Sequence, residues 1–246
     1  MPATPSWPPK SLPRLYVRAP LSEGARVELD GTQANYLGNV LRLREAAELL
    51  VFDGKSGEWL ARIAEAGKKR MALAVERQTR GLETIPDAWL AFAPVKRHQT
   101  DWLVEKATEL GAARLVPIIT QRTIVDRVRL ERLEAIAIEA AEQCGRTRLP
   151  ALSEPMSLTH LLGNRDPART LYFADEAGGD AASAAFTPGP AVILTGPEGG
   201  FTDEERTAIR AAPNAVAVSL GPRILRAETA ALAALTAYMT LAGDWR

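Results

Sequence analysis

One cysteine and two histidines are all that this 246-residue chain offers to redox or metal chemistry. The lone Cys144 excludes an intramolecular disulfide and argues for a reducing compartment. His98 and His160 stand far apart, and neither falls in ligand spacing with Cys144. A metal centre and a Ser-His-Asp triad therefore both lack parts. No G-x-G-x-x-G opens a strand-helix unit, which leaves a Rossmann dinucleotide site without support. Gly54-Lys55-Ser56 ends like a phosphate-binding loop, but Leu49 stands where that motif needs glycine and residues 58–63 read as a strand, so a hairpin turn is expected. No apolar run follows a basic start, so the N-terminus does not read as a signal peptide. The most apolar helix, about residues 227–242, falls short of the roughly 20 residues of a membrane span. The expectation is a cytoplasmic protein with no metal and no membrane contact.

Net charge is zero but unevenly spread: residues 1–80 carry 13 Lys/Arg against 9 Asp/Glu, and residues 81–246 carry 17 against 21. A nucleic-acid partner and a merely solvated surface explain that bias about equally. Five prolines in residues 1–13 suit an extended arm. Short strand-like runs follow at 15–17, 26–29, 49–52, 59–63 and 71–75, interrupted by one helical stretch at 35–43, which suggests a compact β-barrel. Lys68-Lys69-Arg70 reads as a solvated turn. From Trp89 the rhythm becomes strand, helix, strand, helix, which implies a mostly parallel sheet with helices on both faces. Pro117 demotes the strand at 115–119 toward an edge or strand end. The expected boundary lies near residue 80, giving domains 1–80 and 81–246.

The densest information lies in two loops that leave apolar strands through Gly-Pro. The first runs Leu194-Thr195-Gly196-Pro197-Glu198-Gly199-Gly200-Phe201, and the second Leu220-Gly221-Pro222-Arg223-Ile224-Leu225-Arg226-Ala227-Glu228-Thr229-Ala230. Ligands of open α/β sheets bind outside the carboxyl ends of strands, where glycine admits a ligand to the backbone. A tight strand-to-helix turn is the plain alternative for any one such loop. Gly196, Gly199 and Gly200 exceed what one turn needs, however, and a carboxylate stands among them. The two loops together point to one composite pocket, with leucines around an apolar ring and Gly199 close enough that a bulky replacement should abolish binding. Thr202 and Glu205 form a capping box for the next helix. The helix at 227–242 is apolar on nearly every face, so it must be buried all round, and a second subunit would cover what its own domain leaves open. Arg146 and Arg148 either cap the helix before them or extend a basic rim toward a phosphate backbone.

These loops resemble the cofactor motifs of the SPOUT methyltransferases, in particular the RsmE family, which methylates N3 of a uridine in 16S ribosomal RNA. Pro13-Arg14-Leu15-Tyr16-Val17 and Val40-Leu41-Arg42-Leu43 are similar to that family's N-terminal domain. Residues 105–111 and 141–146 are similar to its middle signatures. Asn35 and Glu45-Ala46-Ala47-Glu48 depart from the family pattern. The resemblance implies an α/β fold, namely a SPOUT trefoil-knot domain with a mostly parallel sheet, preceded by a small PUA-like β-barrel that binds RNA. It further implies S-adenosyl-L-methionine as cofactor, 16S rRNA within the small ribosomal subunit as partner, and a homodimer with the active site at the subunit interface.

On that resemblance the cofactor set is Leu194, Thr195, Gly196, Glu198, Gly199, Gly200, Leu220, Gly221, Leu225, Arg226, Thr229 and Ala230. Arg226 is expected to stabilise negative charge on the uracil oxygens. Glu198 or Glu228 accepts the N3 proton or orients Arg226, with water or an RNA phosphate as the alternative acceptor. Arg14, Arg42, Arg146 and Arg148 are the expected RNA contacts, with a structural role in closing the barrel as the alternative for Arg14 and Arg42. An idle RNA-binding scaffold and an enzyme for another nucleotide ligand are the alternatives.

Overall fold

The computed structural model describes residues 12–67, 70–125 and 127–245. Most of the proline-rich arm, together with Lys68 and Lys69, lies outside the described residues. The chain divides into two compact units: residues 1–83 with 145–148, and residues 84–144 with 149–246.

The smaller unit holds β1 (Arg14–Tyr16), β2 (Arg26–Leu29), α1 (Gly31–Asn35), β3 (Glu48–Phe52), β4 (Glu58–Ala66) and β5 (Met71–Arg80). Its sheet runs β1-β3-β4-β5-β2, with β1 parallel to β3 and the other pairs antiparallel. Alternate residues such as Leu49, Val51, Ile63, Leu73 and Val75 enter one core with Leu15, Val27 and Leu37. Gly54-Lys55-Ser56 is a turn: the Asp53 carboxylate accepts from the backbone N–H groups of Lys55 and Ser56 and from the Ser56 hydroxyl.

The helix expected at 35–43 sits earlier. Asp30 and Gln33 form a capping box that starts α1 at Gly31, so Asp30-Gly31 is a helix start and not a turn. The helix then widens into a π-turn over Tyr36–Val40, and Arg42 follows with φ 57°, off the helix and exposed.

The larger unit holds β6 (Ala88–Phe92), α2 (Arg97–Glu109), β7 (Arg114–Ile119), α3 (Leu130–Cys144), β8 (Ala151–Leu152), β9 (Met156–Ser157) and α4 (Leu158–Asn164). It continues with β10 (Thr170–Ala174), β11 (Asp180–Ala181), α5 (Ala182–Ala185), β12 (Ala191–Thr195), α6 (Asp203–Ala211), β13 (Ala215–Ser219) and α7 (Ala227–Leu241). The strands run β11-β13-β10-β12-β6-β7-β8, every pair parallel, with β9 also beside β7. Strand residues alternate between two cores. Leu90, Phe92 and Ile193 meet Leu103, Leu133 and Leu235, whereas Ala91, Val192 and Leu194 meet Leu158, Leu161 and Ile209. Strand β7 is internal despite Pro117. Its ladder to β8 covers Arg114 and Leu115 and its ladder to β9 covers Ile118 and Ile119, so the proline sits in the gap between them. Since every strand is parallel, all their carboxyl ends share one edge, and the site lies there.

Candidate functional site

Three adjacent strands, β12, β10 and β13, each release a loop at that edge, and the loops enclose a cavity of about 270 Å³. Thr195, Gly196, Glu198, Gly200, Leu220, Gly221, Leu225 and Ala230 line it. Four of the residues assigned to the pocket from sequence do not. Leu194 is buried in the core beneath, and Arg226 and Thr229 are exposed at the start of α7. Gly199 turns toward Arg122: a Cβ there would lie 3.4 Å from the Arg122 Cδ, which is ordinary contact with a flexible side chain.

The neighbouring glycines are constrained differently. Gly200 has φ 69°, and a Cβ on it would stand 2.8 Å from the Glu176 carboxylate. At Gly196 a Cβ would press on the Phe201 ring at 3.1 Å.

The loop missing from the sequence reading is the one after β10. Ala174, Asp175, Glu176 and Gly178 line the same cavity. Asp175 is buried and paired with Arg206 at 3.2 Å and Arg210 at 2.6 Å, which ties this loop to α6. The signal was present: Asp175-Glu176-Ala177-Gly178-Gly179 follows a buried strand as the Gly-Pro loops do, but without proline to mark it. The first Gly-Pro loop is held from both ends. Arg122 donates to the Gly199 carbonyl at 2.7 Å, and Glu205, besides closing the Thr202 capping box, accepts from the Gln121 N–H at 2.8 Å.

Beside the cavity lies a small polar array. Gln99, in the first turn of α2, donates through Nε2 to Glu228 Oε1 at 3.1 Å and reaches Glu198 Oε1 at 3.5 Å. Gln99 and Glu228 are buried, whereas Glu198 is exposed. The second Glu228 oxygen and the Gln99 carbonyl oxygen are buried with no hydrogen-bond partner among the described residues. Glu228 stands in the first turn of α7, where the helix N-terminus favours an anion. Two empty acceptors in one buried cluster are costly unless a donor arrives from outside. Among the described residues no group of three or more His, Cys, Asp or Glu could hold a metal ion.

In the smaller unit the four expected RNA contacts separate. Arg14 is buried against Glu58 at 2.8 Å, stacks over Phe52 and donates to the Arg146 carbonyl. Arg146 is itself buried beside Glu83. These two hold the unit together and do not present their charge to a partner, because both guanidiniums are enclosed by their own chain. Arg148 is half-buried with its backbone N–H on Glu83. Only Arg42 of the four is exposed.

Residues 83–239 match the family model described as an RNA methyltransferase domain, and residues 29–76 match that of an RNA methyltransferase PUA domain. The chain belongs to this RNA methyltransferase family. Among its curated relatives is the Rickettsia conorii ribosomal RNA small subunit methyltransferase E, 31% identical over 228 residues, covering 90% of this chain and 93% of the relative. A crystal structure of the Neisseria gonorrhoeae protein of that name, bound to S-adenosyl methionine, superposes with a TM-score of 0.88 at 31% identity, covering 96% of this chain and all (100%) of the other. A Legionella pneumophila methyltransferase in complex with the same cofactor gives 0.87 at 30% identity, covering 95% and 99%. The family membership carries with it the SPOUT-type α/β fold for the larger unit and the PUA-like fold for the smaller one.

Proposed function

We propose that this RNA methyltransferase uses S-adenosyl-L-methionine to methylate N3 of a uridine in 16S ribosomal RNA of the small subunit. The observation that carries the reading is the three-loop cavity with a buried, half-empty carboxylate beside it. The cavity suits the cofactor: Val218, Leu220, Leu225 and Ala230 offer an apolar wall, Gly196 and Gly200 let a ligand approach the backbone, and Glu176 and Glu198 offer acceptors at the rim. When bound, the cofactor supplies a methyl group activated on a positive sulfonium, so the chain must deal only with the proton and the charge of the base.

Uracil N3 carries a proton at neutral pH, and that proton has to leave for N3 to attack. The empty Glu228 oxygen is the acceptor in our reading, and Gln99 fixes the carboxylate from its other side. Arg226, exposed at the start of α7, faces charge developing on the uracil oxygens. Glu198 is open to water and contributes less. Much of the acceleration comes from alignment of the reacting atoms. The target must be unpaired or turned out of its helix, since its pairing face is the one that reacts.

Incubating the protein and S-adenosylmethionine with unmodified small subunits, and separately with naked RNA, then mapping methylated nucleotides by mass, tests the reading. Methyl transfer to a single uridine is expected. Cofactor binding without transfer to either RNA would overturn the assigned target, and failure to bind the cofactor would favour an RNA-binding scaffold. A sharper test of the pocket contrasts two adjacent glycines. Gly200→Val should weaken cofactor binding by about tenfold or more through strain at its left-handed φ, whereas Gly199→Val should bind normally in calorimetry.

The functional unit is, in the same reading, a homodimer. Ala231, Ala234, Leu235, Tyr238 and Met239 bury one face of α7 within the chain. Leu232, Ala233 and Ala237 on the rest of the helix are only half-buried, and Leu241 is exposed. Helix α2, packed against α7, exposes Trp102 at 44%. Sedimentation at micromolar concentration should show a dimer, and Leu241→Glu with Trp102→Glu should shift it to monomer. No helix among the described residues is long and apolar enough to cross a membrane.

A further inference from the structure

The larger unit sorts its cations by position. Across most of it they are neutralised: Lys106 pairs with Glu105 and Glu109, Arg132 with Asp101, Arg169 with Asp87, and Arg206 and Arg210 with Asp175. Arg114 stacks on Trp89, and Arg165 is used up on the carbonyls of Arg169 and Pro213. At the carboxyl edge of the sheet the pattern reverses. Lys96 and Arg97 follow β6, and Arg127 and Arg129 follow β7; all four are exposed, and none has an ion-pair partner among the described residues. Arg223 and Arg226, after β13, are in the same state.

Arg223 lines the cavity on its β13 side, and the strand order sets β10 and β12 between β13 and β6. Four interstrand steps of about 4.8 Å put β7 roughly 19 Å from β13, a span of several backbone phosphates. In the middle, Asp175, Glu176 and Asp203 share Arg206 and Arg210, and the exposed Glu198 and Glu204 have no ion-pair partner among the described residues, so acids outnumber cations there. Along the edge the charge therefore runs positive, negative, positive. Unpaired exposed cations contribute little to folding and are what a polyphosphate strand needs in order to bind by counterion release. The acidic middle keeps phosphate off the cavity itself.

We propose that Lys96, Arg97, Arg127 and Arg129 form a phosphate track for the substrate RNA, on the flank of the cavity opposite Arg223 and Arg226. A strand held on both flanks presents one nucleotide to the cavity between them. The proposal rests on the RNA-methyltransferase reading above, and it locates much of the RNA grip on the catalytic unit, where Arg14 and Arg146 of the smaller unit cannot supply it.

The test uses the full chain with two double variants, Lys96→Glu with Arg97→Glu and Arg127→Glu with Arg129→Glu. Binding to unmodified 16S RNA is titrated at several salt concentrations, beside calorimetry with S-adenosylmethionine and thermal melts. Each double variant should lose at least about tenfold in RNA affinity, and the slope of log affinity against log salt should fall by about 1 to 2, as expected for two lost phosphate contacts. Cofactor affinity and melting temperature should stay at the wild-type values. If a glutamate variant melts early, the same positions changed to Gln should still show the loss in a folded protein. Wild-type RNA affinity and salt slope in folded variants would overturn the track while leaving the methyltransferase reading intact. A wild-type chain that binds cofactor but no RNA would overturn both.

Discussion

Glu228→Gln should slow methyl transfer on saturated substrate by about 100-fold or more, with cofactor affinity close to wild type. The replacement keeps the shape of the side chain and its bond to Gln99, and removes only the negative oxygen that is buried without a partner. A positioned proton acceptor contributes roughly 10²–10⁴-fold, and a buried one has no substitute in bulk water. Glu198→Gln makes the contrast. That carboxylate is exposed, so water can replace it, and the loss should stay below about tenfold. Arg226→Ala should also lower kcat, with a smaller loss of RNA affinity than either double variant of the phosphate track. Single-turnover rates for the three variants separate the roles. A Glu228→Gln enzyme within threefold of wild type would falsify the assignment, and a larger loss in Glu198→Gln would exchange the two carboxylates.

How much of this site could be read from the chain depends on the kind of signal each residue gives. The two Gly-Pro loops were legible because proline and repeated glycine at a strand end have few other uses. The loop at Asp175 lines the same cavity with acids and late glycines, which look like any surface turn until β10 is seen between β12 and β13. Gln99 was invisible, since a glutamine in the first turn of a helix predicts nothing, and only the packing of α2 against α7 brings it to Glu228. Gly199 was overread because sequence cannot say toward which side a Cβ would point. The larger fold was legible from alternation of strand and helix, whereas Asp30 misled locally: a capping residue and a turn residue have the same preferences. Arg14 shows the same ambiguity on a larger scale, because a basic residue beside a family signature can serve a partner or its own chain.

Arg14 is engaged by its own chain, and the consequence is measurable. Glu58, whose side chain is 5% exposed, receives Arg14 at 2.8 Å and Arg80 at 2.7 Å. Arg14 and Arg80 then reach the carbonyls of Arg146 and Gly145, so one carboxylate organises β1, β4, β5 and the 145–148 segment. Burial alone pushes the Glu58 carboxyl up, but the hydrogen bonds and charges of Arg80 and Arg14 outweigh it and hold it below its ordinary value. Glu58→Gln leaves the buried Arg14 without its counterion and should destabilise this unit by about 3–5 kcal/mol, as for other buried pairs broken on one side. Arg14→Ala should cost less, because Glu58 keeps Arg80.

The sign of the pH dependence follows from the lowered carboxyl. Its contribution is complete above the ordinary carboxylate range and fades as pH falls through the depressed folded value. The stability gap between wild type and Glu58→Gln should therefore be widest near neutrality and shrink as pH falls below the ordinary carboxylate range. Denaturant melts at a series of pH values measure it. A gap that stays constant with pH would mean that packing of Glu58, and not its charge, supports the unit. The same melts bear on RNA: Arg14→Ala should lose RNA affinity only in proportion to the folded fraction it loses. A fully folded Arg14→Ala protein with weakened RNA binding would return this arginine to the interface.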